Sequence, residues 1–379
     1  MQQSRKILFL TAPIGSGHTR AAQAIKAELD RKYPATQSQI VNLFDFFHPF
    51  IGETILKSYV KILNIFPTLY GKMYDWGNES SAALQGREWI SRYLATKMKE
   101  FIADYRPDGI VCTHASPAGL AAHLRSRSII DIPIFGVVTD FVIHRLWIYK
   151  ELENYYVAHH LLQDQLESQG VSRKKSLVTG IPIDYKFTIS YQRDVLLSQM
   201  NLKKDLPTIL IMGGGSGLLP MDDVIAAIEN RFASRAQIVA VTGQNHRLYN
   251  RLTKLYATNN HIRILGFVTT VPELMALSSV MITKPGGMTA AEALSSALPL
   301  IIYKPLPGQE EGNADYLISQ KVAQIANTTE DLLLALTPYI EGEQVQQQKE
   351  MVLRLSQPNA ASDIVTHLVN FLDNGQTHS

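Results

Sequence analysis

Short apolar runs alternate with segments of helical periodicity along the whole chain. In the first half these runs predict strands at 5–12, 39–44, 109–113, 133–139 and 153–158. In the second half "TILIMGG", "AQIVAVTG", "IRILGF", "VMITKPGG", "LPLIIYK" and "VAQIA" are each followed by a turn or a helix. "HTRAAQAIKAELDRKY" reads as helix: Ala22, Ile25 and Leu29 share one face, while Arg20, Lys26 and Asp30 lie mainly elsewhere. Strands separated by crossover helices specify a parallel sheet covered on both faces. The alternation occurs twice, broken by a stretch at about 180–207 whose first part predicts an interdomain hinge. The expected architecture is therefore α/β, with two Rossmann-like doubly wound domains over 1–185 and 186–358 facing across a cleft. A last apolar-periodic segment, within 359–379, is expected to pack back on the first domain. Paired domains of this kind hold ligands outside the carboxyl ends of their strands.

Bulk properties narrow the class. At 379 residues the chain is too long for one ordinary core. A single cysteine, Cys112, excludes disulfides and cysteine-rich zinc sites and fits a reducing cytoplasm. "MQQSRKILFLTAP" reads as a first strand running into a glycine turn, not as a signal peptide. No apolar run reaches the roughly 18 residues of a membrane span. A net charge of +2 gives nucleic acid no obvious footing. Residues 1–185 hold 21 Lys/Arg against 17 Asp/Glu, a bias that would help this half approach an anionic surface.

The candidate chemistry lies in glycine turns. "ILIMGGGSGLLP" opens a buried strand into Gly213, Gly214, Gly215 and Ser216. Such a turn lets a phosphate approach the backbone, or is simply tight; it matches neither GxGxxG nor a Walker A sequence. "MITKPGGMTAAEALSSALPLIIYKPLPGQEEGNADYL" is more informative. Gly286, Gly287 and Thr289 offer amides and a hydroxyl to a diphosphate at a helix start. Glu292, a turn further on, suits the two hydroxyls of a ribose. Gln309, Glu310 and Asn313 form a polar cluster suited to a sugar. Lys284 either offsets phosphate charge or caps a strand end. In the N-terminal half, "LTAPIGSGH" places Gly17, a further candidate binding residue, and His18 at the start of a helix. A histidine so placed is a candidate general base, since imidazole has the right unperturbed pKa near neutrality. The positive end of the helix helps keep His18 neutral. Asp140, in "VVTDFVIHRLWI", is a second base candidate or a partner orienting His18. His144 and Trp147 border an acceptor or serve the loop and core. His114 is expected to be structural.

The motifs "ILFLTAPIGSGH", "VVTDFVIHRLWI", "VTGIPI", "LIMGGGSG", "ITKPGGMTAAEA" and "IIYKPLPGQEEGNA" resemble those of family 28 glycosyltransferases. More narrowly, the chain is similar to bacterial processive diacylglycerol glucosyltransferases and plastid monogalactosyldiacylglycerol synthases, over nearly its full length. The resemblance implies a GT-B fold and inverting transfer of glucose or galactose from UDP-glucose or UDP-galactose to diacylglycerol. It places Gly213–Ser216, Gly243 and Phe267 around the nucleotide, with Phe267 at the base. It places Lys284 to Thr289 at the diphosphate, Glu292 at the ribose, and Gln309, Glu310 and Asn313 at the donor sugar. No D-x-D triplet occurs, so no metal and no cofactor beyond the UDP-sugar substrate is expected.

Residues 44–76 carry 9 of the 32 aromatic residues. Within them Ile51, Ile55, Tyr59, Ile62 and Phe66 form a helical stripe beside Glu53, Lys57 and Lys61. This suits a helix in a membrane interface, and equally one packed on a core. The expected location is cytoplasmic, peripherally on the inner face of the cell membrane. Rival functions are a UDP-sugar epimerase of the same fold, a transferase acting on a peptidoglycan lipid precursor, and a UDP-sugar sensor without turnover.

Overall fold

Residues 5–12, 16–46, 94–213, 219–342 and 345–375 are described by the structure, a computed structural model. The chain forms two compact units, Met1–Asp184 with Asn359–Ser379, and Tyr185–Pro358.

The first unit holds a parallel sheet of β1 (Lys6–Thr11), β2 (Gln37–Asn42), β3 (Gly109–Cys112), β4 (Ile134–Val137), β5 (Asn154–Val157) and β6 (Ser176–Val178). Their order is β2-β1-β3-β4-β5-β6. Ile7 of β1 registers with Gly109 of β3, and Ile110 of β3 with Ile134 of β4. β3, β4 and β5 are buried at every residue, as expected of strands covered on both faces. On one face Ile7, Phe9, Val111, Phe135 and Tyr156 pack under Ala22, Ile25 and Leu29 of the helix Gly17–Lys32. Ile364, Val365, Leu368 and Leu372 of the helix Ala360–Gly375 complete this core. Leu372 lies over Gly109, where a Cβ would come within 3.3 Å of its side chain. The same helix is tied by polar contacts: Lys32 Nζ donates to Thr366 Oγ1 at 3.2 Å, Arg5 pairs with Asp373, and the Tyr156 hydroxyl meets His367 Nδ1 at 3.0 Å.

Two elements differ from the reading of the apolar pattern. β2 stops at Asn42 instead of running to 44, because its side chain accepts from Phe44 N–H at 3.0 Å and Asp45 accepts from Asn42 N–H at 3.1 Å. Those local bonds divert the backbone into a tight 3-10 turn over Leu43–Phe46. β6 is an added edge strand of three residues, too short for any alternation to announce it.

The second unit holds β7 (Thr208–Met212), β8 (Gln237–Val241), β9 (Ile262–Leu265), β10 (Val280–Thr283), β11 (Leu300–Tyr303) and β12 (Ala323–Ala326). All are parallel, in the order β12-β11-β10-β7-β8-β9. Ile209, Ile211, Ile238, Ala240, Val280, Ile282 and Ile301 pack against the helices Met221–Phe232, His246–Leu255 and Thr329–Glu341. The last of these starts at a capping box: Thr328 Oγ1 accepts from Asp331 N–H at 3.1 Å, and Asp331 accepts from Thr328 N–H at 2.9 Å.

Candidate active site

In a doubly wound sheet the crevice opens where successive strands depart in opposite directions from the first one. In the second unit that point lies between β7 and β10, and in the first between β1 and β3. Most of the described residues singled out in the sequence follow the carboxyl end of a strand in one sheet or the other.

In the second unit Gly213 leaves the end of β7 and is buried; Gly214, Gly215 and Ser216 lie outside the described residues. Gly243 follows β8 with φ +60°, a conformation that favours glycine. Phe267 stands two residues past β9 and is 67% exposed, an aromatic face held out at the sheet edge. After β10 come Lys284, Pro285 and Gly286, the last at the N-cap of the helix Gly287–Ser295. That helix has no side-chain cap and no acidic residue in its first turn, so its amides keep their affinity for an anion. Gly286 has an ordinary backbone, φ −67°, and a Cβ there would meet nothing within 4 Å. Neither conformation nor internal packing demands a glycine at this position; the approach of another molecule would. Thr289 is half-buried in the first turn, and Glu292 in the next is 1% exposed.

The helix Gln309–Ser319 behaves differently. Glu310 and Glu311 occupy its first turn and already answer its dipole. Gln309 is exposed, whereas Asn313 is buried and donates from Nδ2 to the Pro285 carbonyl at 3.0 Å. Glu310 accepts from Leu306 N–H at 2.7 Å and lies 3.5 Å from Lys284 Nζ. Lys284 and Glu310 are thus brought together, and Asn313 braces the turn that carries Gly286.

In the first unit Gly17 opens the helix Gly17–Lys32, which also lacks a side-chain cap and a first-turn acid. His18 Nδ1 lies 3.0 Å from the Thr113 carbonyl and 2.7 Å from Thr139 Oγ1. A carbonyl can only accept, so the proton sits on Nδ1 and Nε2 carries the lone pair. The His114 ring stands edge-on to His18, with centroids 4.6 Å apart at 89°. His114 caps the helix Ala115–Ser126, its Nδ1 accepting from Ser116 N–H at 3.0 Å. Burial pushes His18 below the ordinary imidazole range, partly opposed by the Asp140 carboxylate and the Thr113 carbonyl. Burial and the neighbouring imidazoles push His114 down to about 3, and partial desolvation of its ring lowers His144 despite Asp140, although the residue as a whole is exposed. This edge of the sheet therefore holds neutral imidazoles beside the half-buried Asp140 side chain.

Trp147 is a core residue, 5% exposed, with its ring over Gly136, where a Cβ would come within 3.3 Å. Of the two roles the sequence left open for it, the core one holds; His144, Arg145 and Leu146 are the exposed residues of that segment. Thr113 and Thr139, which hold His18, went unnoticed in the sequence. Their only signal is a threonine at the end of two apolar runs, "IVCT" and "GVVT".

Two parallel α/β units, each with an uncapped helix start at its switch point, define the GT-B class of fold. The solved MurG of Acinetobacter baumannii shares it, with a TM-score of 0.58 and 17% identity over 98% of this chain and 99% of that one. So does a UDP-GlcNAc 2-epimerase of Neisseria meningitidis bound to UDP-GlcNAc, with a TM-score of 0.60 and 15% identity over 96% and 100%. The Monogalactosyldiacylglycerol (MGDG) synthase family model matches residues 18–183, and the glycosyltransferase family 28 C-terminal domain matches residues 208–364. A processive diacylglycerol beta-glucosyltransferase of Bacillus cereus (strain G9842) is 30% identical over 370 residues, 96% of this chain and 93% of the relative. That of Bacillus cytotoxicus is 29% identical over 369 residues, with the same coverage. The chain belongs to the MGDG synthase branch of glycosyltransferase family 28, and it is a glycosyltransferase.

Proposed function

We propose that this glycosyltransferase moves a hexose, glucose before galactose, from a UDP-sugar to the hydroxyl of diacylglycerol with inversion at the anomeric carbon. It is further proposed to act without a metal and to be able to add sugars in succession. The carrying observation is Gly286, a glycine unexplained by fold or packing, beside Lys284 at an uncapped helix start. A diphosphate is the ligand such a place suits. Glu292 takes the ribose hydroxyls, Phe267 stacks on the base, and Gln309 reaches the sugar.

His18 Nε2 takes the proton of the acceptor hydroxyl as that oxygen attacks the anomeric carbon. The bond from that carbon to the phosphate oxygen breaks on the opposite side, and its electron pair leaves with UDP. Turn amides and Lys284 stabilise the charge growing on the leaving diphosphate. Asp140 offsets the charge of the imidazolium that forms.

Incubation with UDP-glucose or UDP-galactose and diacylglycerol vesicles, with and without EDTA, followed by mass analysis of the lipids, tests this. Hexosyl-diacylglycerol should form in both conditions, faster from UDP-glucose, and UDP should appear only when lipid is present. UDP release or sugar epimerisation without lipid would favour the epimerase reading and end this one.

Among the described residues no helix is long and apolar enough to cross a membrane. The acceptor is proposed to be reached from the cytoplasmic membrane face through the aromatic segment 44–76, nearly all of which lies outside the described residues. Replacing Phe47, Phe50 and Phe66 together with serine should lower binding to anionic vesicles about tenfold or more, since each buried ring contributes a few kcal/mol. Unchanged sedimentation with vesicles in a folded variant would remove the segment from this role.

A further inference from the structure

At the carboxyl end of β11 the chain leaves the sheet through a left-handed residue that is not glycine. Lys304 has φ +47°, which L side chains adopt only at a cost. The conformation is held on both sides. Its N–H donates to the Ala326 carbonyl at 3.0 Å, and its own carbonyl accepts from Lys284 Nζ at 2.7 Å. β10 and β11 are neighbours in register, Thr283 opposite Ile302, so the two lysines leave adjacent strands side by side. The Lys304 ammonium folds back over the buried Tyr303 ring, 5.1 Å from its centre. What Lys304 offers Lys284 is its backbone.

The same Lys284 nitrogen lies 3.5 Å from Glu310, whose carboxylate is fixed by the Leu306 N–H. An ammonium has three N–H bonds. One is taken by the Lys304 carbonyl and one faces Glu310, so the direction of the third is set. A lysine side chain otherwise carries substantial rotamer entropy, and anchoring it beforehand lowers the cost of binding an anion. A strained backbone held at such a place is the kind found at ligand clamps.

We infer that Lys304 is a positioning residue for donor binding, its left-handed carbonyl holding the Lys284 ammonium where a diphosphate oxygen meets it. Lys304 has this role only if residues 284–289 bind the diphosphate as proposed above. The role goes beyond any contact assigned to the donor, because Lys304 acts through Lys284.

Affinities of the full-length protein for UDP and for uridine, which lacks both phosphates, test the inference in Lys284→Met, Lys304→Gly, Lys304→Ala and Lys304→Val. Glycine keeps the left-handed turn and removes the ammonium; valine also removes the ammonium and disfavours the turn. Lys304→Gly should keep UDP affinity within about twofold, and Lys304→Val should lose about tenfold, the worth of one charge-assisted hydrogen bond. Lys304→Ala should fall between and carries the comparison if the valine variant does not fold. Uridine affinity should be unchanged throughout. If glycine weakens UDP as much as valine does, the ammonium itself is the contact and the inference is wrong. It is equally wrong if alanine and valine leave UDP binding intact. Lys284→Met should lower the preference for UDP over uridine; if it does not, the diphosphate assignment itself fails, whatever the Lys304 variants do.

Discussion

His18→Ala is expected to abolish hexose transfer, by about a thousandfold or more, while UDP affinity stays within about twofold of the parent. The expectation follows from placement. His18 belongs to the first unit, whereas the residues assigned to the nucleotide, Gly17 apart, belong to the second. Its Nδ1 is engaged by the Thr113 carbonyl, which fixes Nε2 as the basic nitrogen. Thr139→Val removes the second contact to that ring, at 2.7 Å, and should lower kcat with little change in the KM for donor. The pH profile adds a sign. Burial lowers the His18 pKa below the ordinary imidazole value of about 6.5, so the base stays deprotonated into mildly acid solution. The acid limb of kcat/KM should therefore lie below 6.5, and Asp140→Asn, which removes the largest opposing influence, should move it lower still. Near-normal turnover in His18→Ala, or an acid limb that moves upward in Asp140→Asn, would remove the base assignment. The same shifts bear on stability. His18, His114 and His144 all bind protons more weakly folded than unfolded. Their contribution is full above about 6.5 and is lost as the pH falls from there toward the depressed folded values.

The apolar pattern carried most of the fold, because strands buried on both faces have to be continuous apolar runs. "TILIM", "QIVAV" and "VMIT" announce themselves in this way. What it missed was decided by side chains acting on the local backbone, as at Asn42 and Asp45, or by an edge strand of three residues. The candidate site was legible where its chemistry sits in one turn, as in "KPGGMTAAE". It was not legible where it depends on contacts between strands. The bonds from His18 to Thr113 and Thr139 span 95 and 121 positions, and that from Lys284 to Lys304 spans 20. Trp147 shows a choice the sequence left open: acceptor border or core were both possible for it, and Gly136 makes room for it in the core.

Glu292→Gln is expected to lower kcat/KM for the UDP-sugar about a hundredfold, almost entirely through KM. Glu292 lies in the helix whose first turn follows Gly286, at the carboxyl end of β10, and is 1% exposed. A carboxylate there can accept both ribose hydroxyls at once, and hydrogen bonds to a charged group contribute about 1.5–3 kcal/mol each. Glutamine keeps the size and one accepting oxygen but loses the charge, and its amide cannot accept the second hydroxyl. Loss of affinity alone would not separate a ribose contact from a buried carboxylate that merely supports the helix. The preference for UDP over 2′-deoxy-UDP does separate them. The parent should favour UDP by about tenfold or more, and Glu292→Gln should bind both nearly alike. A variant that melts normally and keeps the full preference would show that Glu292 never meets the ribose, and the diphosphate turn would then have to orient the nucleoside through Phe267 and Gly243 alone.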